Sequence, residues 1–467
     1  MEKPNVIIVV IDALRARNMS MYGYDKPTTP NIDKIAKDSV LFDNCFSTTN
    51  TTDPSVTTIL SGQYPITHGI LQHGEKVSKE EIKNAYKINF LQKILKQNGF
   101  YTIAIDWLGR WHKLGFDYYS GVLEDKRRRV QKVFSALKME DILSKISHVV
   151  NKFKDDRSWY YDKASDVTNH AISVIEEHLD KNFFLFIHYW DTHTPYNPPK
   201  DFLEKFQEYD YYSEYHNIEE IFSRISNDNW RRYLKRWIGN AKSVEEILMR
   251  YDAEISYIDS EIGKLIEKLN DLNILDNTLL IITSDHGESL TEHGIFFDHH
   301  GLYDVNIHVP LIMRYPKRMP KNKRISFLVQ HVDIVPTVLD LLNIEYTSLT
   351  FDGISLINSI EKNVNVRNFI FAEEFYVERK MAIRTNQYKY IFAPSEKDAI
   401  CRYCGIIHGG VEELYDLRED PDERHNIIDK ESEIALNLKL KLQEYIKELR
   451  NRRCLLDLKL KIKSLKR

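Results

Sequence analysis

The chain has 467 residues, of which 42% are hydrophobic and 29% are charged. These fractions exclude a disordered, collagen-like or low-complexity protein, and the length leaves room for several domains of about 100–200 residues. The 65 basic and 69 acidic side chains nearly cancel, to a net charge of −4. Overall charge therefore indicates neither a nucleic-acid partner nor a membrane surface.

Apolar segments typical of buried strands alternate with helical patterns along most of the chain. The predicted strands lie at residues 5–11, 101–105, 182–188, 278–283 and 309–313, and the helical patterns at 88–98, 164–179 and 243–269. Strands that alternate with helices form a sheet that is largely parallel and covered on both faces. We therefore predict an α/β fold with a large, mostly parallel sheet flanked by helices.

The pattern changes after about residue 345. Short strand candidates precede a helical pattern over residues 431–450 and a basic, amphipathic tail. We expect an α/β domain over 1–345 with an aromatic-rich insertion at about 202–240, a smaller α+β subdomain over 346–450, and a basic tail over 451–467. The insertion is either a roof over a cleft or a packing element. The tail is either a solvated helix end or a helix that contacts a membrane.

Four cysteines in so long a chain do not make a disulfide framework. The apolar run at residues 5–11 is too short for a signal sequence, and no run of 18 apolar residues predicts a transmembrane helix. We therefore expect a reduced, cytoplasmic protein without a transmembrane segment.

Acidic residues follow two of the predicted strands. Asp12 comes after residues 5–11, and Asp285 and His286 come shortly after residues 278–283. The crevice at the carboxyl ends of parallel strands is where such sheets do chemistry, so we expect these side chains to meet there. Two carboxylates and an imidazole need a cation to neutralise them, and one histidine favours Zn or Mn over Ca. Each residue alone could also be a helix cap or a surface turn.

The hydroxyl-rich segment 51–62 is the second chemical signal. Pro54 suits a first helical turn, with Thr52 or Asp53 at the cap. A hydroxyl at a helix N-terminus beside a metal ion is a candidate nucleophile, because the helix dipole and the cation both favour its alkoxide. An ordinary helix cap is the alternative.

Ordered short motifs run through most of the chain. They lie at residues 5–15, 28–33, 52–56, 61–69, 109–112, 188–196, 283–288, 292–294, 302–311, 332–337 and 414–423. Residues 5–15, 28–33, 52–56, 61–69 and 109–112 resemble, in this order, the first metal turn, the T-P-N-I-D segment, the C-x-P-S-R signature, T-G-x-Y-P-x-x-H-G and G-K-W-H of the sulfatase family. Residues 188–196 resemble its histidine-containing substrate loop, residues 283–288, 292–294 and 302–311 its second metal segment, and residues 332–337 and 414–423 further family marks. The resemblance to this family of the alkaline phosphatase superfamily covers residues 5 to about 426. It implies an alkaline-phosphatase-like fold and metal-dependent cleavage of an ester.

Four departures from the family pattern bear on the chemistry. Thr52 stands where sulfatases have the Cys that becomes formylglycine, and Thr cannot give that aldehyde. Val56 replaces an Arg, Ala13 replaces the second Asp of a D-D pair, and Arg110 replaces a Lys. A Thr nucleophile resembles instead the phosphoryl-transfer branches of the superfamily, which favours phosphate esters and diesters.

These residues suggest a mechanism. Asp12, Asp285, His286 and the Thr52 hydroxyl are expected to bind one divalent cation, with Zn, Mn, Mg and Ca all open. Arg110 is expected to neutralise the equatorial oxygens of the substrate. The candidates to protonate the leaving alcohol and activate water are His112, His193 and either His299 or His300.

Three functions compete at this point. The leading prediction is a hydrolase for a sulfuric or phosphoric ester of a small molecule or glycan, without a nucleic-acid partner. The alternatives are a phosphoethanolamine-type transferase that acts on a glycan or lipid and a non-catalytic relative that binds ligands. The sequence leaves the oligomeric state open.

The C-x-x-C of Cys401 and Cys404 is a further motif. Together with His408 it could hold zinc, but a zinc site needs four ligands and no second pair with suitable spacing follows. Two free thiols in a loop is the alternative.

Overall fold

A computed structural model describes residues 3–121, 163–215, 217–347 and 349–465. Eight strands form its main sheet: β1 Asn5–Ile11, β2 Val40–Phe46, β3 Tyr101–Ile105, β4 Tyr118–Ser120, β5 Phe183–Tyr189, β6 Thr278–Ser284, β7 His308–Arg314 and β8 Lys323–Gln330. Their order is β4-β3-β5-β1-β6-β7-β2-β8. All neighbours are parallel except β7, which runs antiparallel to both β6 and β2.

Helices cover both faces of this sheet. The described α-helices are Pro30–Ala36, Thr52–Ser61, Pro65–His68, Lys79–Ala85, Leu91–Gln97, Ala164–Glu177, Lys200–Lys205, Ile218–Arg224, Asp228–Ile238, Val244–Asp271, Asp304–Ile307, Ile334–Leu341, Ile357–Lys362, Glu396–Ala399 and Ser432–Leu465. No described helix combines the length and the apolar character that a bilayer span requires.

Strand β1 shows why the sheet is buried on both faces. Its residues are apolar throughout, and successive side chains of a strand point to opposite faces. Val9 belongs to the core formed with helices Ala164–Glu177 and Val244–Asp271, whereas Val10 belongs to the core formed with helix Thr52–Ser61. This double burial explains the uninterrupted apolar run in the sequence.

A second sheet follows in the C-terminal part of the chain. Its strands are β9 Ile370–Glu374, β10 Lys380–Arg384, β11 Tyr388–Phe392 and β12 Glu412–Asp416, all antiparallel in the order β12-β11-β10-β9. The helix Ser432–Leu465 packs on it, with Leu442 in one apolar cluster with Ile383 and Tyr390. The predicted fold class is confirmed, and the numerical domain boundaries stay predictions.

The structure differs from the sequence predictions in three places. Strands β2, β4, β8 and β12 were not predicted, and β7 is antiparallel in an otherwise parallel sheet. The last helix continues to Leu465 instead of ending at residue 450. The first of the three predicted helices starts at Leu91, not at residue 88, because Phe90 has extended backbone angles.

Buried charges join the C-terminal sheet to the main domain. Nζ of Lys389 lies 2.6 Å from Glu423 Oε1 and 3.1 Å from the carbonyl oxygen of Leu302, and it also pairs with Asp304. Arg384 contacts the same Asp304 carboxylate at 3.0 Å. The Lys389 side chain is fully buried and that of Asp304 is 20% exposed, so Lys389 and Arg384 together balance the Asp304 and Glu423 carboxylates in a largely buried cluster.

Replacing Lys389 by Met should therefore destabilise the protein. Removal of one partner from a buried ion cluster leaves unpaired charge and costs about 3–5 kcal/mol of unfolding free energy. Urea unfolding followed by circular dichroism measures the change, and exposed Lys397→Met is the matched control, expected within about 0.5 kcal/mol of the parent. Equal stability of the two variants would contradict the role given to Lys389.

Candidate active site

The ends of β1 and β6 bring two carboxylates together. The ladder pairs Ile11 with Ser284 in parallel register, so Asp12 and Asp285 come next on adjacent strands. Both residues are fully buried. The predicted meeting of Asp12 and Asp285 at the carboxyl edge of the sheet is what the register produces.

His286 completes this cluster. Its Nε2 lies 3.3 Å from Asp285 Oδ2 and 3.6 Å from Asp12 Oδ1. Its Nδ1 lies 2.8 Å from the carbonyl oxygen of Gly287, which accepts the Nδ1 proton. The Nε2 lone pair therefore faces the two carboxylates, as in a histidine that serves as a metal ligand.

Unsatisfied buried oxygens show that a cation fits here. Among the described residues, neither Asp12 oxygen nor Oδ2 of Asp285 has a hydrogen-bond partner. Burial, and then repulsion from Asp285, raises the pKa of Asp12 well above its ordinary value. Ligand atoms of Asp12, Asp285 and His286 lie within 4.8 Å of one another. Such a donor set suits a divalent ion that accepts oxygen and imidazole ligands.

The hydroxyl of Thr52 adjoins the same cluster. Thr52 is the first residue of helix Thr52–Ser61, and its Oγ1 lies 3.3 Å from Nε2 of His286. The Ser55 hydroxyl in the same helical turn donates to the carbonyl oxygen of Asp285 at 2.6 Å, which fixes the helix against β6. The N-cap of this helix is Thr51, so the prediction that Thr52 or Asp53 is the cap is wrong.

Ala13 stands at the position where the family pattern has a second acidic residue, and its contribution to the site comes from its main chain. Ala13 adopts left-handed backbone angles, with φ of 56°, and its N–H donates to Asp285 Oδ1 at 3.1 Å. The Tyr251 hydroxyl donates to the carbonyl oxygen of Ala13 at 2.7 Å and supports this turn. The turn thus orients one carboxylate and contributes no second carboxylate of its own.

Asp53 gathers the basic side chains next to Thr52. Its Oδ1 lies 3.0 Å from His112 Nε2, its Oδ2 lies 3.0 Å from His73 Nδ1, and Arg110 donates to Oδ2. Burial alone would raise the pKa of Asp53, but hydrogen bonds from His112 and His73 hold it well below its ordinary value. Arg110 and His73 keep 33% and 21% of their side chains exposed, so the site opens on their side.

Sequence reasoning missed several of these partners. It treated Asp53 only as a helix cap and did not single out His73. It also missed His188, whose Nε2 lies 3.7 Å from Asp12 Oδ2 and whose Nδ1 lies 3.0 Å from Asp106 Oδ1. The available signal was that Asp106 follows the predicted strand at residues 101–105 and that His188 ends the predicted strand at 182–188; the structure shows that these two strands pair.

The predicted histidines separate into two groups. His299 lies beside the cluster, with its ring centroid 4.3 Å from that of His286 and 5.4 Å from that of His193. Burial lowers the pKa of both His193 and His299, that of His193 to about 3. His300 faces the other way, with Nε2 3.4 Å from the sulfur of Cys401. The structure thus brings His299 to the cluster and places the His300 ring elsewhere.

Aromatic side chains border His193. Its ring stacks on Trp190 with centroids 4.1 Å apart and lies 6.1 Å from the ring of Trp237. Trp237 belongs to the helix Asp228–Ile238 of the aromatic-rich insertion. The insertion therefore reaches the edge of the candidate site.

Comparison with known proteins gives a consistent result. The Sulfatase family model matches residues 4–344, and the model described as N-sulphoglucosamine sulphohydrolase, C-terminal, matches residues 291–452. The N-acetylglucosamine-6-O-sulfatase of Bacteroides thetaiotaomicron is 25% identical over 504 residues, covering 92% of this chain and 83% of that protein.

Two solved structures share the fold. The phosphonate monoester hydrolase of Agrobacterium radiobacter superposes with a TM-score of 0.70 at 19% identity, over 97% of this chain and 96% of that one. A protein solved with its substrate D-glucosamine-2-N,6-O-disulfate superposes with a TM-score of 0.68 at 22% identity, over 97% and 98% of the two chains.

Removing one of the buried carboxylates should raise the Tm of the metal-free protein and should abolish most of the stabilisation by Mn²⁺. In metal-free protein, Asp12→Asn relieves repulsion between buried carboxylates, so we expect a higher Tm than that of the parent. With Mn²⁺ added, the parent should gain stability, by about 2.7 kcal/mol at 100 times Kd, and the variant should gain little. Thermal unfolding with and without Mn²⁺ measures both effects.

Asp180→Asn is the matched control, because Asp180 is exposed. It should keep both the metal-free Tm and the Mn²⁺ response of the parent. An Asp12→Asn variant that still responds fully to Mn²⁺ would show that the cation binds elsewhere.

Proposed function

Since the chain belongs to the sulfatase family, whose model covers residues 4–344, and is an ester hydrolase, we propose that the Thr52 hydroxyl is its nucleophile. The observation that carries this proposal is the 3.3 Å separation between Thr52 Oγ1 and His286 Nε2, beside the unsatisfied Asp12 and Asp285 oxygens. The proposed substrates are phosphoric or phosphonic esters first and sulfuric esters second, because Thr cannot become formylglycine.

The proposed cation site consists of Asp12, Asp285 and His286. A divalent cation held there would supply positive charge that lowers the pKa of a neighbouring alcohol and neutralises an anionic ester. Its identity stays open between Zn, Mn, Mg and Ca. His188, whose other ring nitrogen lies 3.0 Å from Asp106 Oδ1, would present its Nε2 to the same site, 3.7 Å from Asp12 Oδ2.

The proposed reaction has two displacements. Oγ1 of Thr52 forms a bond to phosphorus or sulfur while the bond from that atom to the ester oxygen breaks. The Thr52 proton passes to an imidazole, for which His299 and His193 are the proposed candidates, and from there to the leaving alcohol. Water then attacks the ester of Thr52, which releases inorganic phosphate, phosphonate or sulfate and restores the hydroxyl.

Asp53 and its partners have a proposed role in binding the anion. Arg110 is partly exposed and held by Asp53, so its remaining N–H groups can reach an anionic oxygen at the opening. His112 is buried, with Nε2 on Asp53. We therefore place Arg110 at the substrate oxygens and His112 as the group that fixes Asp53 and, through it, Arg110.

The proposed leaving group is a sugar or another small alcohol. Trp190 and Trp237 near His193 provide apolar surfaces of the kind that stack on sugar rings. The relative named N-acetylglucosamine-6-O-sulfatase is consistent with a glycan ester.

The described cysteines are free, and a cytoplasmic location stays a prediction.

Substitution of Thr52 tests the nucleophile. Thr52→Ala should lower kcat/KM by at least about 10³-fold, because no oxygen remains to attack, while Thr52→Ser should keep most of the activity. A panel of aryl sulfate, aryl phosphate, bis-aryl phosphate and aryl phosphonate esters measures the change and ranks the substrates. Exposed Thr347→Ala is the control. A Thr52→Ala variant as active as the parent would eliminate this nucleophile.

Substitution of His299 tests proton transfer. His299→Gln should lower kcat by about 10²–10⁴-fold for alkyl esters, whose leaving groups need a proton. The loss should be much smaller for nitrophenyl esters, whose leaving group departs as the anion. Exposed His425→Gln serves as the control. Equal losses on both kinds of ester would contradict proton donation by His299.

A further inference from the structure

A second group of metal-ligating side chains lies outside the candidate active site. Ligand atoms of His300, Glu378, Cys401 and His408 lie within 4.8 Å of one another, and all four residues are buried. Cys404 adjoins them, with its sulfur 3.0 Å from Nε2 of His408. The group joins the segment after the active-site His299 to the loop between β11 and β12.

The distances within the group suit one tetrahedral ion. Cys401 Sγ lies 3.4 Å from His300 Nε2, and Cys404 Sγ lies 3.0 Å from His408 Nε2. Zinc binds sulfur at about 2.3 Å and imidazole nitrogen at about 2.0 Å, so two ligands of one tetrahedral ion lie about 3.3–3.8 Å apart. The Cys401–His300 pair falls in this range, and the Cys404–His408 pair lies about 0.3 Å below it.

The two imidazoles are oriented for a metal ion. Nδ1 of His300 lies 2.9 Å from Asp298 Oδ1, and Nδ1 of His408 lies 3.0 Å from the carbonyl oxygen of His293. When Nδ1 donates its proton to such an acceptor, the Nε2 lone pair is left for a metal. In both residues Nε2 is the atom that faces a cysteine sulfur.

We propose that this group is a structural zinc site with His300, Cys401, Cys404 and His408 as ligands. The spacing of the two cysteines is that of a zinc knuckle, and two thiolates with two imidazoles make a closed four-ligand set. Glu378 is left out because two sulfurs and two imidazoles already complete a four-ligand set; its Oε2 lies 3.2 Å from Lys380 Nζ, an ammonium that also pairs with Glu413 at 3.0 Å. The fourth ligand, which the sequence around the two cysteines does not supply, is thus His300, about a hundred residues earlier in the chain.

The zinc site would connect three parts of the molecule. Tyr403, between the two cysteines, stacks on Trp230 of the aromatic-rich insertion with ring centroids 4.0 Å apart. The Ser226 hydroxyl donates to the carbonyl oxygen of Cys404. Asp298 accepts the backbone N–H of His299 at 2.8 Å as well as the His300 ring proton. Zinc would therefore hold the insertion and the His299 segment to the C-terminal loop.

Zinc content of the full-length chain tests this site. Asp12→Asn/Asp285→Asn removes ligands of the other cation site, so the zinc that remains belongs to the cysteine group. We expect about one zinc ion per chain by elemental analysis after dialysis. Addition of Cys401→Ser or Cys404→Ser should abolish the zinc, whereas exposed Cys454→Ser and Glu378→Gln should retain it. Retention of zinc in the Cys401→Ser variant would overturn the site, and loss in Glu378→Gln would overturn the ligand set.

A measurement on the unsubstituted cysteines covers the case in which those variants do not fold. Co²⁺ in place of zinc should give the near-ultraviolet absorption of a thiolate bound to cobalt, and two thiols should become reactive only after a chelator removes the metal. A purified chain that holds no zinc, shows no thiolate absorption with Co²⁺, or carries a Cys401–Cys404 disulfide would contradict the proposal.

Discussion

Two carboxylates buried side by side are the constraint on which the site depends. The parallel register of β1 and β6 places Asp12 and Asp285 next to each other, away from water. Two such charges cannot stay buried together unless protons or a cation compensate them. His286 and the Thr52 hydroxyl stand where they can share that cation. The proposed cation would compensate this pair of buried carboxylates.

One helix N-terminus carries both the proposed nucleophile and the carboxylate that holds the proposed anion-binding side chains. Thr52 and Asp53 are consecutive residues, yet Thr52 faces His286 whereas Asp53 faces His112 and Arg110. The helix itself is buried along its whole length, and Ser55 ties it to the backbone of Asp285. The proposed nucleophile and the proposed anion-binding groups are therefore fixed by the same rigid element, which suits a reaction that depends on alignment.

The sequence predicts those parts of the molecule whose signals are local. The strand at residues 5–11 is an apolar run followed by an acid, so both the strand and Asp12 could be found. Strand β8 has exposed and polar residues at the edge of the sheet and gives no such run. His188 and Asp53 act through partners distant in sequence, at Asp106 and His73. The Cys401 group was incomplete in sequence for the same reason, because His300 joins it only in the folded chain.

Anomalous diffraction from a crystal of the protein grown with Mn²⁺ tests the account most directly. We predict a manganese peak about 2.0–2.3 Å from an oxygen of Asp12, an oxygen of Asp285 and Nε2 of His286, with Oγ1 of Thr52 on the same ion. A peak from which the Thr52 oxygen is excluded, or no peak at these residues, would contradict the proposed nucleophile and the cation site on which it depends.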